Sequence, residues 1–346
     1  MELNFGNVKG LPLEEQEWLK ELKYIYDYHR STNRKKRRYY NGKITLNEVN
    51  LGIALPAGLG RLEIGCAWGA KTVDVLAGRS MFDGFVTENG TKSEDMDQIM
   101  KRNHLISEYN KAVKEELKYG CAFAAVSGEE GDARVRFYSP HCAAASWNAH
   151  EGRIRYGFAF EDARRDESDT TWSPEHVNFY TDTDIWELER IGGTWHAKQT
   201  QHDFGEPLMV ALIWDATNDK PFGQSRLKEP VRRLIQGYVR TVANATIGLE
   251  FATSPQKYLL GVSDEQYDML IDNKFKQYVG SILYSTNNPE TGEKPNFGQL
   301  SQGNIEPHVQ MLRMLATQYS AATGLAATDV GVVNDANPTS SEAIIA

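Results

Sequence analysis

Apolar residues recur at intervals of three to four along the segment LPLEEQEWLKELKYIYDYHR, and this spacing predicts an amphipathic helix. Pro12 stands where a proline fits the first helical turn, and acidic residues follow it. The helix runs into a basic segment that ends before the turn signal Asn41-Gly42. The basic segment consists of Arg34, Lys35, Lys36, Arg37 and Arg38. It is either a docking patch for phosphates or an acidic partner, or a solvated helix end.

The middle of the chain changes from a helical to an alternating pattern. Residues 93–119 predict one long helix, with Ser93 as the N-cap and Gly120 as the stop. From there to residue 215, six or seven short apolar or alternating runs are separated by glycine-containing turns. Such runs, joined by hairpin-like turns, predict a mainly antiparallel sheet.

Helical spacing returns after Pro221. Residues 224–252 carry apolar positions at helical intervals, and Pro230 is tolerable only in the first turns of that helix. The remaining predicted elements are a turn and strand in SPQKYLLGV, a short acidic helix at 264–277, a loop or strand pair at 285–304, and a helix at 307–323 opened by Pro307 and closed by Gly324. Helices and an antiparallel sheet in separate blocks predict an α+β fold.

The formal net charge of −9 is unevenly distributed along the chain. Residues 254–346 hold five Lys or Arg against ten Asp or Glu, whereas residues 221–250 hold five against two. A protein that grips nucleic acid over most of its surface needs clustered Lys and Arg, so the overall charge argues against that class. No run approaches about 18 apolar residues and no apolar signal core opens the chain, so we expect a cytoplasmic protein without a membrane partner.

The sequence contains no motif that announces catalysis. GLGRLEIG lacks the GK[ST] ending of a phosphate loop, and TGEKP has no flanking metal ligands. The acidic pairs Asp182/Asp184 and Glu187/Glu189 are interpreted as solvated strand faces, and the tryptophans as packing residues. Three cysteines without metal-type spacing predict reduced, structural thiols. We therefore expect no catalytic residue, no metal and no cofactor.

Four stretches follow one another in a distinctive order. They are the opening helix with its basic end and RRYYNGK; the pair RFYSPHCAAASWNAHEGRIRYGFAF and HVNFYTDTDIWELERIGGTWH; PFGQSRLKEPVRRLIQGYVRTVANATIGLEFATSPQKYLLGV; and NPTSSEAI. In this order and spacing the chain resembles the portal proteins of long-tailed phages. The resemblance spans nearly the whole chain.

The resemblance implies a portal-type α+β fold. In such portals a wing of helices and sheet leads into a stem helix, a small α/β clip, a second stem helix and a loop that projects into a central tunnel. Matching the order assigns 1–220 to the wing, 221–252 to the first stem helix, 253–305 to the clip, 306–328 to the second stem helix, 329–341 to the tunnel loop and 342–346 to the next helix. The family continues with a helical crown, so we expect a C-terminally truncated subunit.

The resemblance implies a structural role rather than an enzymatic one. The subunit would belong to a ring at the capsid portal vertex of the virion, assembled in the host cytoplasm, through which double-stranded DNA passes without sequence specificity during packaging and ejection. The implied partners are further copies of the chain, twelve in a complete ring, the terminase large subunit, a head-completion or adaptor protein, and the major capsid and scaffolding proteins.

Two sets of residues carry this role under the resemblance. The tunnel loop would present Asn334, Asp335, Asn337, Pro338, Thr339 and Ser340 to the DNA channel. The clip would dock terminase through Tyr258, Asp264, Glu265 and Asp268.

Two other functions stay open at the level of the sequence. Spaced carboxylates can hold Mg²⁺ in a nuclease, and metal-dependent DNA cleavage would favour that alternative. A capsid or tail-adaptor ring without DNA contact is the other, and a solid or very wide ring would favour it.

Overall fold

Strands concentrate between residues 121 and 213, and the long helices lie before and after them in the sequence. The structure is a computed structural model that describes residues 3–45, 63–86, 93–128, 133–162, 174–253, 257–260, 296–299 and 304–331, together with residues 89, 292 and 294. The described residues fall into two compact units. The first lies within Met1–Ile44, Gly65–Ile235 and Tyr319–Ala346, and the second within Thr45–Ile64 and Gln236–Gln318.

The helices of the described residues are α1 (Leu13–Tyr40), α2 (Trp68–Ala77), α3 (Glu94–Arg102), α4 (Leu105–Tyr119), α5 (Glu229–Thr253) and α6 (Glu306–Thr323), with a 3-10 turn at Ala327–Val330. The strands are β1 (Ile44–Thr45), β2 (Glu63–Ile64), β3 (Cys121–Ser127), β4 (Arg134–Tyr138), β5 (Ala143–Asn148), β6 (Arg153–Phe160), β7 (His176–Tyr180), β8 (Asp184–Ile191), β9 (Thr194–Gln201), β10 (Met209–Ile213), β11 (Lys257–Leu260) and β12 (Asn296–Gln299). Together they confirm the predicted α+β class.

The strands β3 to β10 form two antiparallel sheets rather than the one expected from the sequence. β5 to β9 make a five-stranded meander, and β3 pairs with both β4 and β10 in a three-stranded sheet. The pairing of β3 with β10 joins Phe123 to Ala211 across most of the block. No local sequence pattern encodes this long-range pairing. The alternation of apolar and polar residues therefore predicted the strands but not their division between two sheets.

The five-stranded sheet is covered on both faces. Because side chains alternate along a strand, Tyr156 and Phe158 face α1, whereas Tyr180 and Ile185 face the three-stranded sheet. Leu19 and Leu22 of α1 are fully buried in the first of these cores, as the helical spacing predicted. The first core also receives residues 3–11, among them Phe5, whose ring lies 5.9 Å from that of Phe158.

Two polar contacts fix the position of α1 on the sheet. The carboxylate of Glu21 accepts hydrogen bonds from the Tyr156 hydroxyl at 2.6 Å and the Ser146 hydroxyl at 2.9 Å. The Trp18 ring stacks on the Tyr156 ring at 5.0 Å. Farther along α1, the Tyr26 hydroxyl donates to the His141 carbonyl at 2.9 Å and Tyr39 is buried, so the basic run at the C-terminal end of the helix has a defined position.

The single helix predicted over 93–119 is two helices, α3 and α4. The Asn103 side-chain amide donates to the carbonyls of Ile99 and Ala133 at 2.9 and 3.0 Å, and its oxygen accepts from the Val135 amide at 3.0 Å. His104 follows in the left-handed region, with φ of 51°. Asn103 thus ends α3 by bonding to the start of β4. The predicted N-cap is confirmed, since Ser93 accepts from the Met96 amide, and so is the stop at Gly120.

The long helix predicted from residue 224 begins five residues later. The Ser225 hydroxyl accepts from the Leu227 amide at 3.0 Å and donates to the Lys118 carbonyl at 2.6 Å, so the segment before α5 bonds to the end of α4 instead of forming a helical turn. Pro230 then occupies the first turn of α5, as expected.

The second unit contains most of α5 and α6 and the antiparallel pair β11–β12. A side chain at Gly237 would meet Leu315 at 3.3 Å, so glycine lets the two helices approach closely there. The predicted strand in SPQKYLLGV is confirmed as β11, and the second helix begins near Pro307 and ends before Gly324 as expected. The short acidic helix predicted at 264–277 lies outside the described residues.

Candidate functional site

The predicted basic patch occupies the last two turns of α1, and its five side chains are not equivalent. Arg34, Lys35 and Arg38 are exposed, whereas Lys36 and Arg37 are half-buried. The Lys36 ammonium group donates to the Tyr119 carbonyl at 2.7 Å, at the end of α4. The run therefore presents an exposed cationic surface and also sends one amine into the interior.

The environment of Lys36 disfavours its charged form. The pKa of Lys36 is lowered to about 8, mainly by burial and in addition by the positive charges of Arg232 and Lys220, while the neighbouring Cys121 acts in the opposite direction. Burial together with the charge of Lys36 also lowers the pKa of His29. Lys36 thus lies among other cations near the start of α5.

Arg232 holds the start of α5 beside the end of α1. Its guanidinium donates to the Leu227 carbonyl at 2.6 Å and lies 5.9 Å from the Tyr39 ring. Tyr39 itself is buried. The packing of an arginine against an aromatic face adds to the attraction between these two elements.

Arg226 bonds to three segments of the first unit, two through its side chain and one through its backbone amide. Its Nε donates to the Thr72 carbonyl in α2 at 3.3 Å, and its Nη2 donates to the Thr323 carbonyl at the end of α6 at 2.5 Å. Its backbone amide donates to the Leu117 carbonyl at 2.9 Å. The sequence did not single out this residue; the available signal was a lone arginine between Ser225 and Leu227, two positions that prove buried.

Tyr319 completes this contact from the side of α6. Its hydroxyl bonds to the Thr72 hydroxyl at 2.5 Å and donates to the Trp68 carbonyl at 3.0 Å, and its ring lies 4.6 Å from the Trp68 ring. Burial raises the pKa of Tyr319 well above its ordinary value. The last turn of α6 is therefore docked on α2 by a buried polar network, which we call the Arg226 bracket (Thr72, Arg226, Tyr319 and Thr323).

Comparison with known proteins decides the family. Residues 19–345 match the model of the family described as phage portal protein, SPP1 Gp6-like. The chain belongs to this phage portal protein family. The resemblance drawn from the order of the four stretches is thereby confirmed.

Other comparisons are more distant. No curated protein matches the chain. Among solved structures, the neck of an empty GTA particle with C6 symmetry is similar at 14% identity and a TM-score of 0.49, covering 88% of this chain and 79% of that one. The neck of a native GTA particle with C12 symmetry is similar at 12% identity and a TM-score of 0.45, covering 79% and 68%.

The other site residues predicted for the portal protein are placed only in part. Tyr258 lies in β11, opposite Gly298 of β12. The remaining predicted clip residues, Asp264, Glu265 and Asp268, and the predicted tunnel-loop residues, Asn334, Asp335, Asn337, Pro338, Thr339 and Ser340, lie outside the described residues.

The acidic pairs of the portal protein differ from one another. Glu187 and Glu189 are exposed, as interpreted from the sequence. That interpretation was wrong for Asp184, which is buried and accepts hydrogen bonds from Gln199 at 2.8 Å and Thr183 at 2.6 Å. Its carboxylate therefore joins the start of β8 to β9 and to the turn that precedes β8.

The described residues were also compared with the requirements of a metal site, a membrane span and a reactive thiol. In those residues no group of three or more His, Cys, Asp or Glu side chains is placed to hold a metal ion, and no helix is both long and apolar enough to cross a membrane. Cys66, Cys121 and Cys142 form no disulfide bond with one another, and burial raises the pKa of Cys66 to about 11 and of Cys121 to about 12.

Proposed function

We propose that the chain is a subunit of a closed ring at the capsid portal vertex, through which double-stranded DNA enters during packaging and leaves during ejection. The observation that carries the proposal is membership of the phage portal protein family over residues 19–345. A structural family of this kind supports a channel rather than an enzyme.

The order of elements supports an assignment of parts. Residues 1–220 would form the wing, whose sheets and α1 are described above. The two long helices, α5 and α6, would be the stem helices of 221–252 and 306–328, and the pair β11–β12 between them would belong to the clip of 253–305. Residues 329–341 would form the tunnel loop.

Charge supports passage of DNA without retention. Each Lys or Arg that meets a phosphate adds a sequence-independent attraction, and a channel lined with many of them would hold its cargo. Residues 254–346, which would supply clip and tunnel loop, hold ten acidic residues against five basic ones. This excess disfavours tight binding of DNA along that part of the path.

Docking of other proteins would use charge of both signs. The acidic clip residues Asp264, Glu265 and Asp268, with Tyr258, suit a basic face on the terminase large subunit or on the head-completion or adaptor protein. The exposed cations Arg34, Lys35 and Arg38 suit phosphates or an acidic partner. Each surface would act mainly on the rate of encounter and on specificity.

Negative-stain electron microscopy and light scattering of the purified protein test the proposal. We expect a cyclic homo-oligomer with a central hole, twelve subunits in the complete assembly, because closed head-to-tail interfaces generate rings. A folded protein that stays monomeric at every concentration and salt level would contradict it. Incubation with plasmid DNA and Mg²⁺ serves as the control for the nuclease alternative, and nicking above a chelator-treated blank would favour that alternative.

A further inference from the structure

Two adjoining cavities lie where α1 ends and the segment before α5 begins. The outer cavity has a volume of about 580 Å³ and is lined by α1 and by residues 219–232. The inner cavity has a volume of about 140 Å³ and lies between α1, β3 and β5. His29, Lys36, Phe222 and Gly223 line both, so Lys36 stands at the neck between them.

The outer cavity carries an excess of positive charge. Lys36, Lys220, Lys228 and Arg232 line it, against the two carboxylates of Asp219 and Glu229. Two of these charges are already paired with residues outside the lining, Glu229 with Arg233 and Lys228 with Asp215, both at 2.6 Å. The other charged residues of the lining are Lys36, Lys220 and Arg232 against Asp219. Burial and, after it, the positive charges of Arg232 and Lys220 lower the pKa of Lys36, so an anion bound among these cations would relieve an unfavourable interaction.

The inner cavity has one apolar part, held in place by aromatic contacts. Ile25, Phe123 and Phe222 line this part together with Ala143, Ala144 and Ala145, and polar side chains, among them His29 and Asn33, line the rest. The Phe222 ring contacts the rings of Phe123 at 5.9 Å and Trp147 at 5.4 Å. A cavity of about 150 Å³ is large enough for one benzene-sized group.

The Lys36 ammonium group has the donors to orient a carboxylate at the neck. An ammonium group has three N–H donors, and the Tyr119 carbonyl accepts one of them. An oxygen of a carboxylate at the neck can accept one of the other two. A charge-assisted bond of this kind is stronger than a neutral one.

We propose that the two cavities form one binding site for a carboxylate that carries a benzene-sized apolar group. The carboxylate lies at the neck, against Lys36 with Lys220 and Arg232 beside it, and the apolar group fills the inner cavity. A small aromatic acid and the C-terminal phenylalanine of a protein partner present this same chemistry. The site is independent of the proposed role in DNA passage.

Isothermal titration of the full chain with 3-phenylpropanoate tests the site, and N-acetyl-Gly-Gly-Phe with a free carboxylate tests the peptide source. We expect saturable one-to-one binding of at least one of them. The uncharged 3-phenylpropanamide should bind about tenfold more weakly or not at all, because it loses the charge-assisted bond. Tighter binding of the peptide would identify a protein terminus as the ligand, and tighter binding of the free acid a small molecule.

Three variants locate the site. Lys36→Gln should weaken binding about tenfold, and Lys220→Gln, an exposed position whose loss leaves the fold intact, should weaken it several-fold. Lys35→Gln, the exposed neighbour on the same helix, is the matched control and should leave binding unchanged. Each variant is first checked for a native thermal transition.

Several results would overturn the proposal. They are no binding of either acid at millimolar concentration, equal binding of the amide, and equal loss of affinity in Lys35→Gln. Competition by inorganic phosphate or by a short DNA duplex at the same concentration as the aromatic acid would also overturn it, since the cavity would then attract anions without using its apolar part.

Discussion

At the scale of single residues, we expect the Arg226 side chain to contribute more to stability than an exposed cation does. Its guanidinium satisfies the carbonyls of Thr72 and Thr323, which belong to helices far apart in the sequence. Hydrogen bonds to a charged group contribute about 1.5–3 kcal/mol each, whereas an exposed ion pair contributes little. The contribution of Arg226 to stability therefore comes from the bonds to its two carbonyl partners rather than from its charge alone.

Replacing Arg226 with Gln should destabilise the protein. We expect the free energy of unfolding to fall by about 3 kcal/mol, because two carbonyls lose a charged donor. Chemical denaturation measures the change, and hydrogen exchange at residues 319–323 should show faster opening at the end of α6.

The control for this substitution is Arg233→Gln on the exposed face of α5. Arg233 pairs with Glu229 one turn earlier, with both side chains mostly in solvent, so its loss should change stability little. Equal effects of the two variants would show that the Arg226 bracket does not hold the end of α6.

The buried amine of Lys36 should make the stability of the protein depend on pH. Its folded pKa of about 8 lies below the ordinary value of 10.5, so the unfolded chain binds more protons between these values. The penalty for burying the charged amine is fully present below pH 8 and is removed as pH rises toward 10.5. Wild type should therefore gain stability relative to Lys36→Gln between pH 7 and pH 9.5, as measured by urea denaturation.

Lys35→Gln again provides the matched comparison, because it removes a positive charge from the same helix at an exposed position. Identical pH dependence in the two variants would contradict a buried amine at Lys36. The sequence could not have distinguished these neighbours. Adjacent lysines in one basic run differ only in the direction in which the helix points them, and that direction depends on how α1 packs on the sheet.

At the scale of elements, Gly223 shows how closely the segment before α5 approaches the three-stranded sheet. Its φ is 72°, and a side chain there would lie 2.7 Å from the Gly120 carbonyl oxygen and still closer to the Trp214 carbonyl oxygen. Backbone atoms cannot move aside as a flexible side chain can. Glycine is thus required at position 223 both by the positive φ and by the two nearby carbonyl oxygens.

Gly223→Ala should destabilise the protein by about 3 kcal/mol or more, as measured by denaturation. About 1–2 kcal/mol comes from the left-handed backbone and the remainder from the clash. Gly205→Ala isolates the first contribution, because Gly205 has a φ of 68° and no atom lies within 4 Å of the point that its methyl group would occupy. A Gly223→Ala cost no larger than that of Gly205→Ala would show that the close approach is easily relaxed.

Elements with local signals were predictable, and elements set by distant contacts were not. The caps at Ser93, Gly120 and Gly324 were visible because capping chemistry is local. The break between α3 and α4 was missed because Asn103 forms it by bonding to residues about thirty positions later. The division of the strands into two sheets depends on the equally distant pairing of β3 with β10.

At the scale of the whole molecule, family and fold class followed from the order of elements, whereas the residues of the DNA path did not. Order is a property of the entire chain, and residues 19–345 retain enough of it to match the portal family. The exposure of a residue to a channel is created by assembly of several copies. A single sequence carries no direct signal for it, so the proposed tunnel loop rests on the family assignment and on charge.

The proposed tunnel loop gives the last prediction, at the level of the assembled ring. Asp335 is the one ionisable residue in the segment 334–340 and would repel phosphate, while Pro338 restricts the backbone around it. Replacing Asp335 and Asn337 with Lys should create a basic collar, because each substitution is repeated in every subunit round the ring. The variant should assemble normally but slow or block DNA packaging in a reconstituted terminase assay.

Salt separates this electrostatic effect from a structural one. Exposed charges are screened within about 8–10 Å at physiological ionic strength, so the packaging defect should ease as salt rises. The matched variant replaces Asp335 with Ser and Asn337 with Gln, which removes the acidic charge without adding a basic one. This variant should package DNA at nearly the normal rate. If the lysine variant occupies the ring and packages DNA normally at low salt, residues 334–340 do not line the DNA path, and the assignment of the tunnel loop is wrong.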